Sequence, residues 1–223
     1  MHLVSIVLRD KEKPEEGGLW IFFYVISRKK KVEEELVKIV TGTLADAFSS
    51  QNSWKKASDF VKSIPFVNAL MEKLSDESGL GEDFLSSLPL FFDTSMNIHE
   101  IKNIQLGRFW KVVLYDRKRK EVAVGAVDCV AVKHGRNISS IYRKMVVPFI
   151  MPVAVVSFMV SCLAATLKGP LPEVLSTLPE EEQRKLLYIV LDVWQKVLMR
   201  VPVRVEFKTK DVDAVISVYP PSK

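Results

Sequence analysis

Few side chains in this chain combine a reactive type with a spacing that could do chemistry. Histidine, the usual general base near neutral pH, occurs three times, as His2, His99 and His134. No HxH, HxxxH or HExxH spacing joins them, so a metal centre would need ligands converging from distant parts of the chain. Each reads first as a solvated or edge histidine. His134 is the best functional candidate of the three, because it ends an apolar alternating run beside Gly135 and Arg136, where a strand gives way to a helix. Asp93 and Asp128 lie next to or within apolar strand-like runs. A carboxylate taken out of water needs a partner, and such groups sometimes mark sites. The first reading of Asp128 is a salt-bridged or edge residue, and the second is a functional one.

Other catalytic signatures are missing. The chain has no GxGxxG, no Walker A sequence, no GxSxG elbow and no local Cys–His motif. Cys129 and Cys162 are too few and too dispersed for a zinc site, and both read as small buried hydrophobes. The runs Glu33-Glu34-Glu35 and Glu180-Glu181-Glu182 open helical segments, where carboxylates complement the helix dipole. No catalytic, cofactor-binding or metal-ligating set emerges, and no cofactor is expected.

Cations are a different matter. Arg28-Lys29-Lys30-Lys31 forms one cluster, Arg117, Lys118, Arg119 and Lys120 a second, and Arg136, Arg143 and Lys144 a third. Gathered on one face they would attract nucleic-acid phosphates or an anionic membrane surface. Scattered, they are simply solvated. Aromatic residues interleave poorly with them, and no RNA-binding signature of the RRM kind is present.

The elements that must position these residues are organised around residues 145–167, MVVPFIMPVAVVSFMVSCLAATL, which carry no ionisable group except the Cys162 thiol. A helix of that length would reach roughly 35 Å, enough for a hydrocarbon core of about 30 Å. Against a spanning helix stand Pro152, which suits a first helical turn, and the lack of an aromatic belt. The segment is therefore expected to break into a helix over 137–147 and a nearly fully buried helix over 152–168. The membrane reading, a single-pass anchor over 145–167, is the alternative.

Upstream, 3–9 and 19–27 read as strands, and LWIFFYVIS is apolar at both parities, the pattern of a strand buried on both faces. Helical periodicity follows from Lys29 to Ala47 and again from Trp54 to Leu74. A loop-like insert over 75–89 is the best internal boundary, dividing an N-terminal ββαα part from a C-terminal βββααββ part. Residues 98–106 read as a weak strand, opening a three-strand meander with 108–116 and 121–134. Gly125 marks a bulge or a close helix crossing. Thr177 and Glu180 have capping-box spacing before a largely apolar helix reaching Arg200, and a closing hairpin ends the chain. This order gives an α+β fold, a mostly antiparallel sheet packed against long apolar helices, as a single domain.

A chain of 223 residues with 48% hydrophobic and 26% charged content has the composition of a globular protein rather than a disordered one. The net charge of +5 permits an acidic partner without requiring one. Its N-terminal segment lacks a basic leader, so a cytoplasmic address is expected. The function expected is a non-catalytic interaction or scaffold subunit of a larger or homo-oligomeric assembly. Membrane anchoring and nucleic-acid binding through the basic clusters are the alternatives.

Overall fold

A seven-stranded antiparallel sheet in the order β3-β1-β2-β5-β4-β7-β6 forms the frame. Its strands are β1 (His2–Asp10), β2 (Gly18–Ser27), β3 (Phe92–Glu100), β4 (Trp110–Tyr115), β5 (Glu121–Val132), β6 (Val203–Lys208) and β7 (Asp213–Tyr219). Among the described residues three helices join them: α1 (Lys30–Ser49), α2 (Ser140–Thr166) and α3 (Glu180–Leu198). The fold is α+β with an antiparallel sheet. The computed structural model describes residues 1–10, 14–49, 92–132, 140–167, 176–208, 210 and 212–223. The second helical segment expected after α1, the boundary at 75–89, and the expected strand end at 133–134 and helix start at 137–139 lie outside the described residues.

Two-residue alternation decides which side chains meet the helices. On β2, Leu19, Ile21, Phe23 and Val25 are fully buried, while Trp20, Phe22, Tyr24 and Ile26 are only half-buried. Phe23 stacks on Phe158 of α2 at 6.3 Å between ring centroids, so the odd-numbered residues of β2 face the helices. Register then assigns Val4, Ile6 and Leu8 of β1, Val127 and Cys129 of β5, and Val112 and Leu114 of β4 to the same face. All of these are buried. The expectation that β2 is buried on both faces is thus corrected. Its even-numbered face carries large rings that no described helix covers, and hydrophobic pattern alone cannot separate such a face from a core.

α2 crosses this sheet and touches β5, β4, β7 and β2 as well as α1 and α3. From Ala154 to Ala164 every side chain is buried apart from the half-buried Ser157. The hydroxyls here are satisfied within the helix, Ser161 donating to the Ser157 carbonyl at 2.7 Å and Thr166 to that of Leu163 at 2.7 Å. The expected break at Pro152 does not occur. The helix runs unbroken from Ser140 to Thr166 through both Pro148 and Pro152. Each proline removes one backbone hydrogen bond, at a cost of about 3 kcal/mol in a helix interior. At Pro152, burial of that residue and of Ala154 to Val156 outweighs the loss. Where α2 passes over β5, Gly125 leaves room for Phe158: a methyl group at residue 125 would stand 2.0 Å from the ring.

Other expectations shift in smaller ways. β3 starts at Phe92 rather than 98 and pairs with β1 at the far edge, so only β4 and β5 form the expected hairpin. Residues of β3 alternate weakly because a described strand flanks it on one side only. α3 begins at Glu180 with Pro179 as its N-cap and no side-chain cap bond, in place of the Thr177–Glu180 box. It buries only Leu186, Val193 and Val197, leaving Leu187 and Tyr188 exposed, so it is amphipathic rather than largely buried. It ends in a Schellman arrangement, with Arg200 left-handed (φ 55°) and Val201 N–H donating to the Lys196 carbonyl at 2.9 Å.

Candidate functional site

Asp128 is the one site candidate that the fold surrounds with unusual neighbours. It lies on β5, on the face turned away from the helices, directly across from Phe22 of β2. Trp20 and Tyr24 occupy the diagonal positions of the same strand and face. On the other side, Trp110 pairs with Val127, which sets Phe109 beside Asp128. A short helical turn over Leu106–Arg108 delivers Phe109, whose N–H donates to the Leu106 carbonyl at 3.3 Å. Ser222 clasps this turn, its N–H and hydroxyl both donating to the Gly107 carbonyl, at 3.0 and 2.6 Å. Trp20 and Phe22 lie 5.9 Å apart by ring centroids, and Tyr24 meets Phe109 edge-on at 4.9 Å.

One oxygen of Asp128 accepts the Cys129 N–H at 2.8 Å. Among the described residues no cation pairs with it, although Lys111 sits nearby on β4. Burial raises its pKa above the ordinary aspartate value, and the Cys129 N–H offsets only part of that rise. Tyr24 is pushed up too, by burial and then by the Asp128 charge. The arrangement is a half-buried carboxylate rimmed by aromatic rings, without a nucleophile or a second acid beside it among the described residues. A salt-bridged Asp128, the first reading from sequence, is not what the described residues form.

A second polar cluster was not legible in the sequence. Glu33, given only a dipole role by its place in a carboxylate run, is 4% exposed. Its carboxylate takes the Met1 amino group, Nδ1 of His2 at 2.7 Å and the Ser27 N–H at 3.1 Å. Burial alone would raise its pKa, yet these partners together pull it below the usual carboxylate range. The cluster ties the start of β1 and the end of β2 to α1. Only its burial distinguishes Glu33 from Glu34 and Glu35, and burial depends on the sheet edge beneath.

The basic clusters divide. Arg28, Lys29, Lys30 and Lys31 follow β2, while Arg117, Lys118, Arg119 and Lys120 form the β4–β5 turn, and all eight are exposed. β2 and β5 are neighbours, and the Ser27 hydroxyl donates to the Val122 carbonyl at 2.6 Å. The two clusters therefore share one end of the sheet. Asp116 shapes the turn by accepting N–H bonds from Lys118 and Lys120 at 2.9 and 3.0 Å, and Arg119 adopts a left-handed φ of 59°. Arg143 and Lys144 fall on the first half of α2, whereas His134 and Arg136 lie outside the described residues. His99 and Asp93 stand exposed on β3.

Cys129 and Cys162 are both free and buried, and burial pushes the Cys162 thiol up to about 12. Among the described residues no group of three His, Cys, Asp or Glu side chains could hold a metal ion. No family model matches the chain, and neither the curated proteins nor the solved structures compared with it include a match.

Proposed function

We propose that the protein is a non-catalytic interaction subunit that pairs with a second copy of itself along the outer edge of β3. The observation that carries this reading is an edge strand to which the described residues add no second partner. β3 extends nine residues, about 30 Å at strand rise, and among the described residues it pairs only with β1. The opposite edge, β6, has the usual protections: it is short, follows Pro202, and alternates Arg204, Glu206 and Lys208 outward. β3 has no Pro, Lys or Arg.

Its sequence is also self-complementary. In an antiparallel pair centred on Met96, Asp93 of each copy faces His99 of the other, at both ends of the ladder. Thr94 faces Ile98, which is 51% exposed in the single chain, and Ser95 faces Asn97. A two-fold axis through such a strand repeats every favourable pair. Light scattering tests the reading: the expected mass is twice 25.3 kDa. Asp93→His or His99→Asp alone should weaken association, and the double exchange should restore it. A monomer at high concentration, or a double exchange no better than the single ones, contradicts the proposal.

In this reading α2 is an internal helix of the fold and the address is cytoplasmic. Its burial between Ala154 and Ala164 supports this, and among the described residues no helix is long and apolar enough to cross a membrane. A second reading, nucleic-acid binding, is favoured by one observation: two basic clusters meet at one end of the sheet. Phosphate contacts there would make retention on DNA or RNA fall steeply with salt. Reversing Lys118 and Lys120 to Glu should then abolish retention, and no binding at low ionic strength ends the idea.

A further inference from the structure

Four aromatic rings stand around one carboxylate, and a cation would be drawn to both. The face of each ring is electron-rich and gains nothing from a nearby anion. Asp128 nevertheless sits among Trp20, Phe22, Tyr24 and Phe109, half-buried, with one oxygen held by Cys129 N–H and no ion pair among the described residues. Asp128 itself is only half-buried, and Val130 two residues along the same face is 40% exposed. A positive organic group laid against the rings would satisfy carboxylate and ring faces together, because both attract the same charge. A hard metal ion would instead need several oxygen ligands, which this face does not supply.

We propose that Asp128 with Trp20, Phe22, Tyr24 and Phe109 is a recognition site for an organic cation, the ammonium or guanidinium group of an amine or of a basic side chain. Lys111, on the adjoining strand, marks one border of the site, and exposed Val130, opposite Trp20, marks another. The site lies on the sheet face and uses none of the β3 edge, so it stands or falls separately from self-association.

Titration of the full chain followed by NMR tests the assignment, reading the backbone amides of Phe22, Tyr24 and Asp128. The probes are tetramethylammonium chloride, acetyl-arginine amide and a short Arg/Lys peptide, each against sodium chloride at equal ionic strength. The expected result is a saturable shift confined to these residues with at least one probe, weakened tenfold or more in Asp128→Asn. Saturation by tetramethylammonium identifies a free amine as sufficient, while binding restricted to the arginine probe and the peptide identifies a partner's basic side chain. Tyr24→Leu, which keeps the carboxylate and an apolar face, should also bind at least several-fold more weakly. No saturable shift with any probe, or an Asp128→Asn variant that keeps the wild-type spectrum elsewhere and binds as wild type does, overturns the proposal.

Discussion

At the scale of single residues, buried Glu33 and half-buried Asp128 should respond to pH with opposite signs. Glu33 has a native pKa below the usual carboxylate range, so its stabilisation is complete above that range and is lost as pH falls through the native value. Glu33→Gln should cost about 1–3 kcal/mol at neutral pH, since buried donors lose a charged acceptor. It should also flatten the acid side of a denaturation profile. Asp128 is raised instead: between the ordinary aspartate value and its native pKa the folded state holds more proton than the unfolded chain. Its contribution therefore falls as pH rises through that interval and stays unfavourable above it. Asp128→Asn should leave neutral-pH stability unchanged or raise it, and should steepen the loss in acid. Denaturant titrations of the two variants across the acid range check both signs. Asp128 drew notice in the sequence because a charge interrupts an apolar strand. Glu33 did not, because its carboxylate is one of three in a row and its partners come from the ends of β1 and β2.

Element by element, periodicity placed the strands well but misjudged how deeply their faces are covered. β4, β5, β6 and β7 stand where their alternation placed them, with Val203 and Val205 inward and Arg204 and Glu206 outward. β2 read as a strand buried on both faces, since Trp20, Phe22, Tyr24 and Ile26 are as apolar as the residues between them. Whether a described helix lies over a face is a property of the partners, which the strand's own residues do not encode. For α2 the local signal of Pro152 lost to burial of the stretch from Ala154 to Ala164. Gly125, by contrast, was legible as a place of close approach. Gly125→Ala would drive a methyl group into the Phe158 ring, itself buried and stacked on Phe23. It should cost about 1–3 kcal/mol, the range for overpacking. Combining it with Phe158→Leu should cost less than the sum of the two single changes, as a double-mutant cycle by thermal melts would read.

For the molecule as a whole, the described helices lie on one side of the sheet, while on the other the Trp20, Phe22 and Tyr24 rings are half-buried and Ser5, Val7, Val113, Val124 and Ala126 are buried. Among the described residues β3 pairs with β1 alone, so extending that edge is one way for the sheet to bury more surface. The α+β class followed from the order of elements, but the spatial order of the strands did not. β3 leaves its neighbours in sequence to pair with β1, and that crossover creates the edge on which the proposed self-association depends. Residue-resolved hydrogen exchange on β3, at low and high protein concentration, tests this most directly. Amides of β3 bonded to β1 should be protected at both concentrations. Those pointing outward should exchange freely when dilute and become protected when concentrated, and the Asp93→His variant should lose that gain. Outward amides that exchange freely at every concentration would contradict the account.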